Sequence, residues 1–124
     1  MENVKYKFGS FTIDPAEQLL SDDGRIVEID PQEFDILLLL VKSAGHLVTR
    51  ERLIKEIWKD AFVEEGTVSA AVSRVRQALR KALKTKNDNK VYIKAVPKKG
   101  FRFIYPVEEL RDLDMILPKI RTSD

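Results

Sequence analysis

Apolar and polar positions change rhythm three times along the chain, and each rhythm predicts a different element. From VKYKF (4–8) and FTID (11–14) the period is two, the period of a half-buried strand. LLS (19–21) and RIVEI (25–29) continue it across Asp22-Asp23-Gly24, and Asp-Gly favours a tight type I′ hairpin. Gly9-Ser10 and Asp14-Pro15 supply the other turns. Four short strands joined by hairpins predict a small antiparallel sheet that must rest one face on something else.

From Asp30 the rhythm becomes helical. Asp30 suits the N-cap, Pro31 the first helical position, and Glu33 the far corner of a capping box. Phe34, Leu37, Leu38 and Val41, with Ile36, Leu39 and Leu40 between them, make this helix apolar almost all round, so it belongs at the centre of the domain. It stops near Ser43-Ala44, with Gly45 past the end. Thr49 caps a shorter helix over 50–59, striped by Leu53, Ile54, Ile57 and Trp58. A connection from Asp60 to Glu65 leads to a long amphipathic helix over 67–83. A hairpin follows, VYIKAV (91–96) and FRFIY (101–105) around Pro97-Lys98-Lys99-Gly100, where Gly100 permits a positive φ at the loop's end. Residues 106–124 change composition, with a weakly helical VEELRDLDMIL, and read as a tail or linker outside a domain of residues 1–105.

The helix over 67–83 organises the reading. Val68, Val72, Val75 and Leu79 form its apolar stripe, flanked by Ala71, Ala78 and Ala82. The other face carries Ser69, Ala70, Ser73, Arg74, Gln77, Arg80 and Lys81: small residues first, cations later, and no carboxylate. A solvated helix face normally mixes both signs in i,i+4 pairs. A small, polar, purely cationic face suits a polyanion, because the backbone can approach closely while arginine and glutamine reach base edges or phosphates.

Charge distribution strengthens this. The net charge is +2, but residues 1–66 carry −6, residues 67–102 carry +10 with Asp88 their one acid, and residues 103–124 carry −2. Basic charge gathered on one part of a near-neutral chain is the footprint of nucleic-acid binding. In the hairpin, Lys94, Lys98, Lys99 and Arg102 point outward. They suit phosphate contact, though lysines also blunt an ordinary edge hairpin against aggregation. Trp58 has two readings, a core aromatic or an indole N–H on a phosphate.

Other function classes find little support. There is no cysteine, hence no disulfide or thiolate metal site, and no cofactor site is expected. The lone histidine, His46, has no ligand or base partner at a recognisable spacing and reads as structural or exposed. No nucleotide-binding glycine pattern and no activated nucleophile is present, so an enzyme is not expected. The longest apolar run, Ile36 to Val41, is six residues, and the N-terminus lacks a signal-peptide core. The expected location is cytoplasmic, including the case of a cytoplasmic piece of a longer, membrane-anchored regulator.

Strands, apolar helix, short helix, basic helix and basic hairpin resemble the OmpR/PhoB-type winged helix-turn-helix over residues 6–105. The blocks that carry the resemblance are DPQEFDILLLLVKSAGHLVTRERLIKEIW (30–58), TVSAAVSRVRQAL (67–79) and KGFRF (99–103). VPKKGFRF looks closest to the CadC/ToxR-like branch. The resemblance implies an α+β fold with an N-terminal four-stranded antiparallel sheet, three helices and a C-terminal β-hairpin wing. It further implies that the third helix lies in the major groove and the wing over the adjacent backbone or minor groove. By position, Arg74 matches a groove-entering arginine, Arg76 one near the phosphates, and Trp58, Thr67 and Phe101 positions that often touch the backbone. The loop over 59–65 matches a segment that some members present to RNA polymerase. Gly66 and Ser73 stand where the family often has cations.

The reading is therefore sequence-specific binding of double-stranded DNA by a bacterial transcription regulator, as a dimer on repeated half-sites. Ala70, Ala71 and Ser69 offer few hydrogen-bonding groups, which leaves room for thymine-methyl contact and groove shape. The alternative is a winged helix that docks on RNA polymerase or another acidic protein.

Overall fold

The computed structural model describes residues 3–64, 66–84 and 90–111. Strands β1 (Val4–Phe8), β2 (Phe11–Asp14), β3 (Leu19–Asp22) and β4 (Arg25–Ile26) form an antiparallel meander. Tyr6, Phe8, Phe11, Ile13 and Leu20 turn inward and are buried, as the period of two requires. At the β3–β4 turn Asp23 and Gly24 have φ of 49° and 83°, the left-handed pair a type I′ hairpin needs. Strand β4 is shorter than the predicted 25–29: regular pairing ends at Ile26, the Val27 amide still donates to the Leu20 carbonyl at 2.9 Å, and Val27 and Ile29 pack against the core.

Helix α1 (Pro31–Lys42) begins where Asp30 Oδ1 accepts from the Glu33 amide at 2.9 Å. Phe34, Ile36, Leu37, Leu39, Leu40 and Val41 are buried, so it is the central helix its composition predicted. Thr49 Oγ1 accepts from the Arg52 amide at 3.1 Å and starts α2 (Arg50–Ile57). That helix stops two residues before the predicted 59, since Lys59 and Asp60 are both left-handed. Helix α3 (Thr67–Lys84) buries Val68, Ala71, Val72, Val75, Leu79 and Leu83. It packs against α1 and α2.

The hairpin of β6 (Ile93–Val96) and β7 (Gly100–Phe103) gains a third strand that sequence reading missed. Strand β5 (Leu47–Thr49) pairs with β7, giving the order β5-β7-β6. The positive φ that Gly100 permits is not used there: the left-handed residue of the wing loop is Lys98, with φ 65°. Gly100 is required for space, because a β-carbon there would lie 2.1 Å from the Val48 carbonyl oxygen. Phe8, Phe11, Tyr92 and Phe103 pack ring on ring, with Phe8 and Phe103 centroids 5.0 Å apart, and join the wing to the N-terminal sheet.

The chain after the wing differs from its weakly helical pattern. Strand β8 (Glu108–Arg111) lies antiparallel on β1, so the sheet has five strands in the order β4-β3-β2-β1-β8. A free sheet edge outbids a helical tendency this weak, and Lys7 opposite Glu108 suits the pairing. The rest of the predicted helical stretch, 112–117, lies outside the described residues.

Candidate nucleic-acid interface

Helix α3 turns two unlike faces to its surroundings. With its apolar stripe buried, Ala70, Ser73, Arg74, Gln77, Arg80 and Lys81 are exposed, and Thr67, Ser69 and Arg76 are half-buried. The period of 3.6 thus places the predicted small and cationic residues together on the surface, as a stripe along one face. Arg76 sits at the flank, and its Nε is buried without a hydrogen-bond partner. Beside it, Arg76, Arg80 and Lys90 line a cleft of about 160 Å³ between α3 and the chain entering β6.

One cation of this face is held from behind. Arg74 Nε donates to Glu33 Oε2 of α1 at 3.2 Å, so the predicted capping-box glutamate spends its carboxylate on the helix above it. Only Asp30 performs the capping. The Glu33 side chain is 11% exposed, against 48% for Arg74. Burial pushes the Glu33 carboxyl above the usual carboxylate range, helped by its hydrogen bond to Asp30 and that residue's charge and opposed by Arg74. The same hydrogen bond holds Asp30 below its usual value, with the Glu33 amide adding to the effect.

The wing supplies the second cationic surface. Lys98 and Lys99 are exposed at its tip. Lys94 and Arg102 are cross-strand partners, both exposed, two like charges directly opposite. Such a pair costs stability in an isolated sheet, and a polyanion relieves it. Phe101 is 3% exposed, so its ring belongs to the core. Arg50, which sequence reading passed over, lies 5.5 Å from that ring's centroid, and its amide donates to the Lys99 carbonyl at 3.2 Å. It therefore joins the wing tip to the start of α2; a cation just after a cap gave no signal of this. Trp58 is half-buried against the core at the end of α2, compatible with both readings of its indole. In the loop after it Phe62 is 92% exposed.

Among the described residues no three His, Cys, Asp or Glu side chains gather as metal ligands, and no helix is long and apolar enough to cross a membrane.

A helix-turn-helix formed by α2 and α3 on the central α1, with a cationic hairpin beside it, defines a winged helix-turn-helix DNA-binding domain. Residues 24–103 match the family described as "Transcriptional regulatory protein, C terminal", and the chain belongs to it. It is 28% identical over 107 residues to the transcriptional activator CadC of Escherichia coli, covering 86% of this chain and 20% of CadC. It is 31% identical over 121 residues to the cholera toxin homolog transcriptional activator of Vibrio parahaemolyticus, covering 91% and 40%. The chain thus spans well under half the length of these relatives. Among solved structures it superposes on the DNA-binding domain of E. coli CadC with a TM-score of 0.73 at 27% identity, covering 87% of this chain and 98% of that one. The RstA DNA-binding domain of Klebsiella pneumoniae, in complex with the RstA box, gives 0.65 at 31% identity, covering 81% and 96%.

Proposed function

We propose that this chain reads double-stranded DNA for a bacterial transcription regulator, with α3 in the major groove and the wing on the neighbouring backbone or minor groove. The observation that carries the reading is the outward face of α3, where Arg74, Gln77, Arg80 and Lys81 are exposed in a row with no acid among them. In this reading Ser69, Ala70, Ser73, Arg74 and Gln77 face base edges. Thr67, Arg76, Arg80, Lys81, Lys98, Lys99 and Arg102 serve the phosphates, and Trp58 closes the edge of the footprint. Phe101 contributes by seating Arg50. The like-charged pair of Lys94 and Arg102 supports a polyanion at the wing, and the relative solved on its DNA box supports the docking mode.

The parent regulator works in the cytoplasm and binds as a dimer on repeated half-sites, since one helix and one wing touch few bases. Residues 1–105 form the binding unit, and 106–124 serve as a tail or linker whose first part, β8, is laid on β1. The loop over 59–65 is the surface for RNA polymerase, with exposed Phe62 as its apolar anchor. The test is fluorescence anisotropy on a labelled random duplex at several salt concentrations. A steep linear fall of log K with log[salt] is expected. No binding at low salt overturns the DNA reading in favour of protein docking.

A further inference from the structure

Arg74 differs from its cationic neighbours on α3. Among the described residues Arg80 and Lys81 have no ion pair, so both remain free to follow a phosphate. Arg74 has one, with Glu33, reaching across 41 residues of sequence. That bond uses Nε. A guanidinium has five N–H groups in a rigid plane, so a partner at Nε fixes the plane and leaves the terminal nitrogens for something else. Those terminal nitrogens make no hydrogen bond to any described residue.

Glu33 also limits where Arg74 can go. Its carboxylate is nearly buried, and a buried charge stripped of its partner is costly. Arg74 therefore meets its target without leaving Glu33. Asp30 lies beside Glu33 and adds a second anionic group to the site. A DNA phosphate brought to this point is repelled by the two carboxyl groups; an uncharged base edge is not.

We infer that Glu33 is a positioning residue for base readout: it holds Arg74 through Nε and presents the terminal nitrogens as a two-pronged donor to a base edge, favouring the acceptor pair of guanine. The inference rests on the DNA-binding reading above. It also explains why α1 keeps an almost buried carboxylate on a buried face that is otherwise apolar.

The experiment compares wild type, Glu33→Gln, Arg74→Lys and the double variant on two duplexes, a site selected by the wild type from a random library and a scrambled one. Glu33→Gln is expected to lower the selected-to-scrambled affinity ratio about tenfold, the size of one bidentate base contact. Its affinity for the scrambled duplex stays level or rises, because a negative charge has gone. Arg74→Lys keeps the charge but not the fork, so it lowers the ratio similarly, and the double variant is no worse than either single one. An unchanged ratio in Glu33→Gln, or losses that multiply in the double variant, overturns the inference. A wild type that selects no sequence fails the DNA reading itself, a different result. Should Glu33→Gln not fold, the Arg74 guanidinium N–H NMR signals of the wild type decide. On adding each duplex, an Nε–H that stays protected while the terminal N–H groups become protected on the selected duplex alone supports the inference; an Nε–H that exchanges freely in the complex, or terminal groups protected equally on both duplexes, overturns it.

Discussion

Gly100 faces the carbonyl of Val48 so closely that a β-carbon would come within 2.1 Å of the oxygen and 2.9 Å of the Thr49 α-carbon. Backbone, not a flexible side chain, is in the way. Gly100→Ala must therefore push β7 off β5, at about 1–3 kcal/mol or somewhat more, the usual range for overpacking. Because Arg50 hangs on Lys99 next door, the wing loses its seat on α2 as well. Urea denaturation of the variant should show that loss, with a shallower salt dependence of DNA binding. A variant as stable as wild type would mean that the two strands part at little cost.

Tyr6 and Glu109 are cross-strand partners in the β1–β8 ladder. Burial raises the Tyr6 hydroxyl above its ordinary value, Glu109 raises it further, and Arg111 opposes them. A chain ending at residue 107 should melt lower than one ending at 111. About 4–8 °C corresponds to 1 kcal/mol in a domain of this size. Its Tyr6 should also titrate at lower pH, followed by ultraviolet difference absorbance. Equal melting temperatures and equal titrations would show that β8 adds nothing to the fold.

Local signals made most of this architecture legible, and its gaps lie where distant partners decide. Asp30-Pro31, Thr49 and Gly45 marked the ends of helices by capping chemistry, and Asp23-Gly24 marked the hairpin by φ. The outward face of α3 followed from its period, and the resemblance named the blocks around it. Strand β5 is three residues without an alternating pattern, and only β7 makes it a strand. Strand β8 sits in a helical-looking stretch and is captured by the edge of β1. Glu33 had a complete local explanation as a capping residue, which hid its partner on α3. Arg50 likewise depends on a ring brought in from the wing.

The Asp30 cap sets a pH dependence whose sign is fixed. Its carboxylate is held below the usual value by the Glu33 side chain and amide. A lowered folded pKa means stability that is present above the unfolded value and lost as pH falls through the folded one. Asp30→Ala should cost about 1 kcal/mol at neutral pH, as loss of an N-cap does. The gap to wild type should close below the ordinary carboxylate range. Glu33 moves oppositely: its raised value lets the folded state bind a proton earlier, and its protonation on acidification offsets part of the loss. Thermal melts of both proteins from neutral pH downward check this. A gap constant with pH would mean that Asp30 acts through something other than its charge.

Lys94 and Arg102 make the wing's prediction two-sided. They are exposed, opposite and alike in charge, so each weakens the free domain while serving the DNA-bound one. Lys94→Gln should raise the stability of the free protein by about 0.2–1 kcal/mol at low salt, the range for a cross-strand pair, with the gain fading as salt screens it. The same substitution should weaken binding to every duplex and lower the slope of log K against log[salt] by about 1. Lys98→Ala and Lys99→Ala should each lower the slope by a similar amount with no gain in stability, because neither lies opposite another cation in the ladder. Opposite signs for folding and binding at Lys94, and binding loss alone at the tip, separate a polyanion-binding wing from an ordinary solvated hairpin. A Lys94→Gln protein that gains stability yet keeps the full salt slope would place the DNA away from this strand pair.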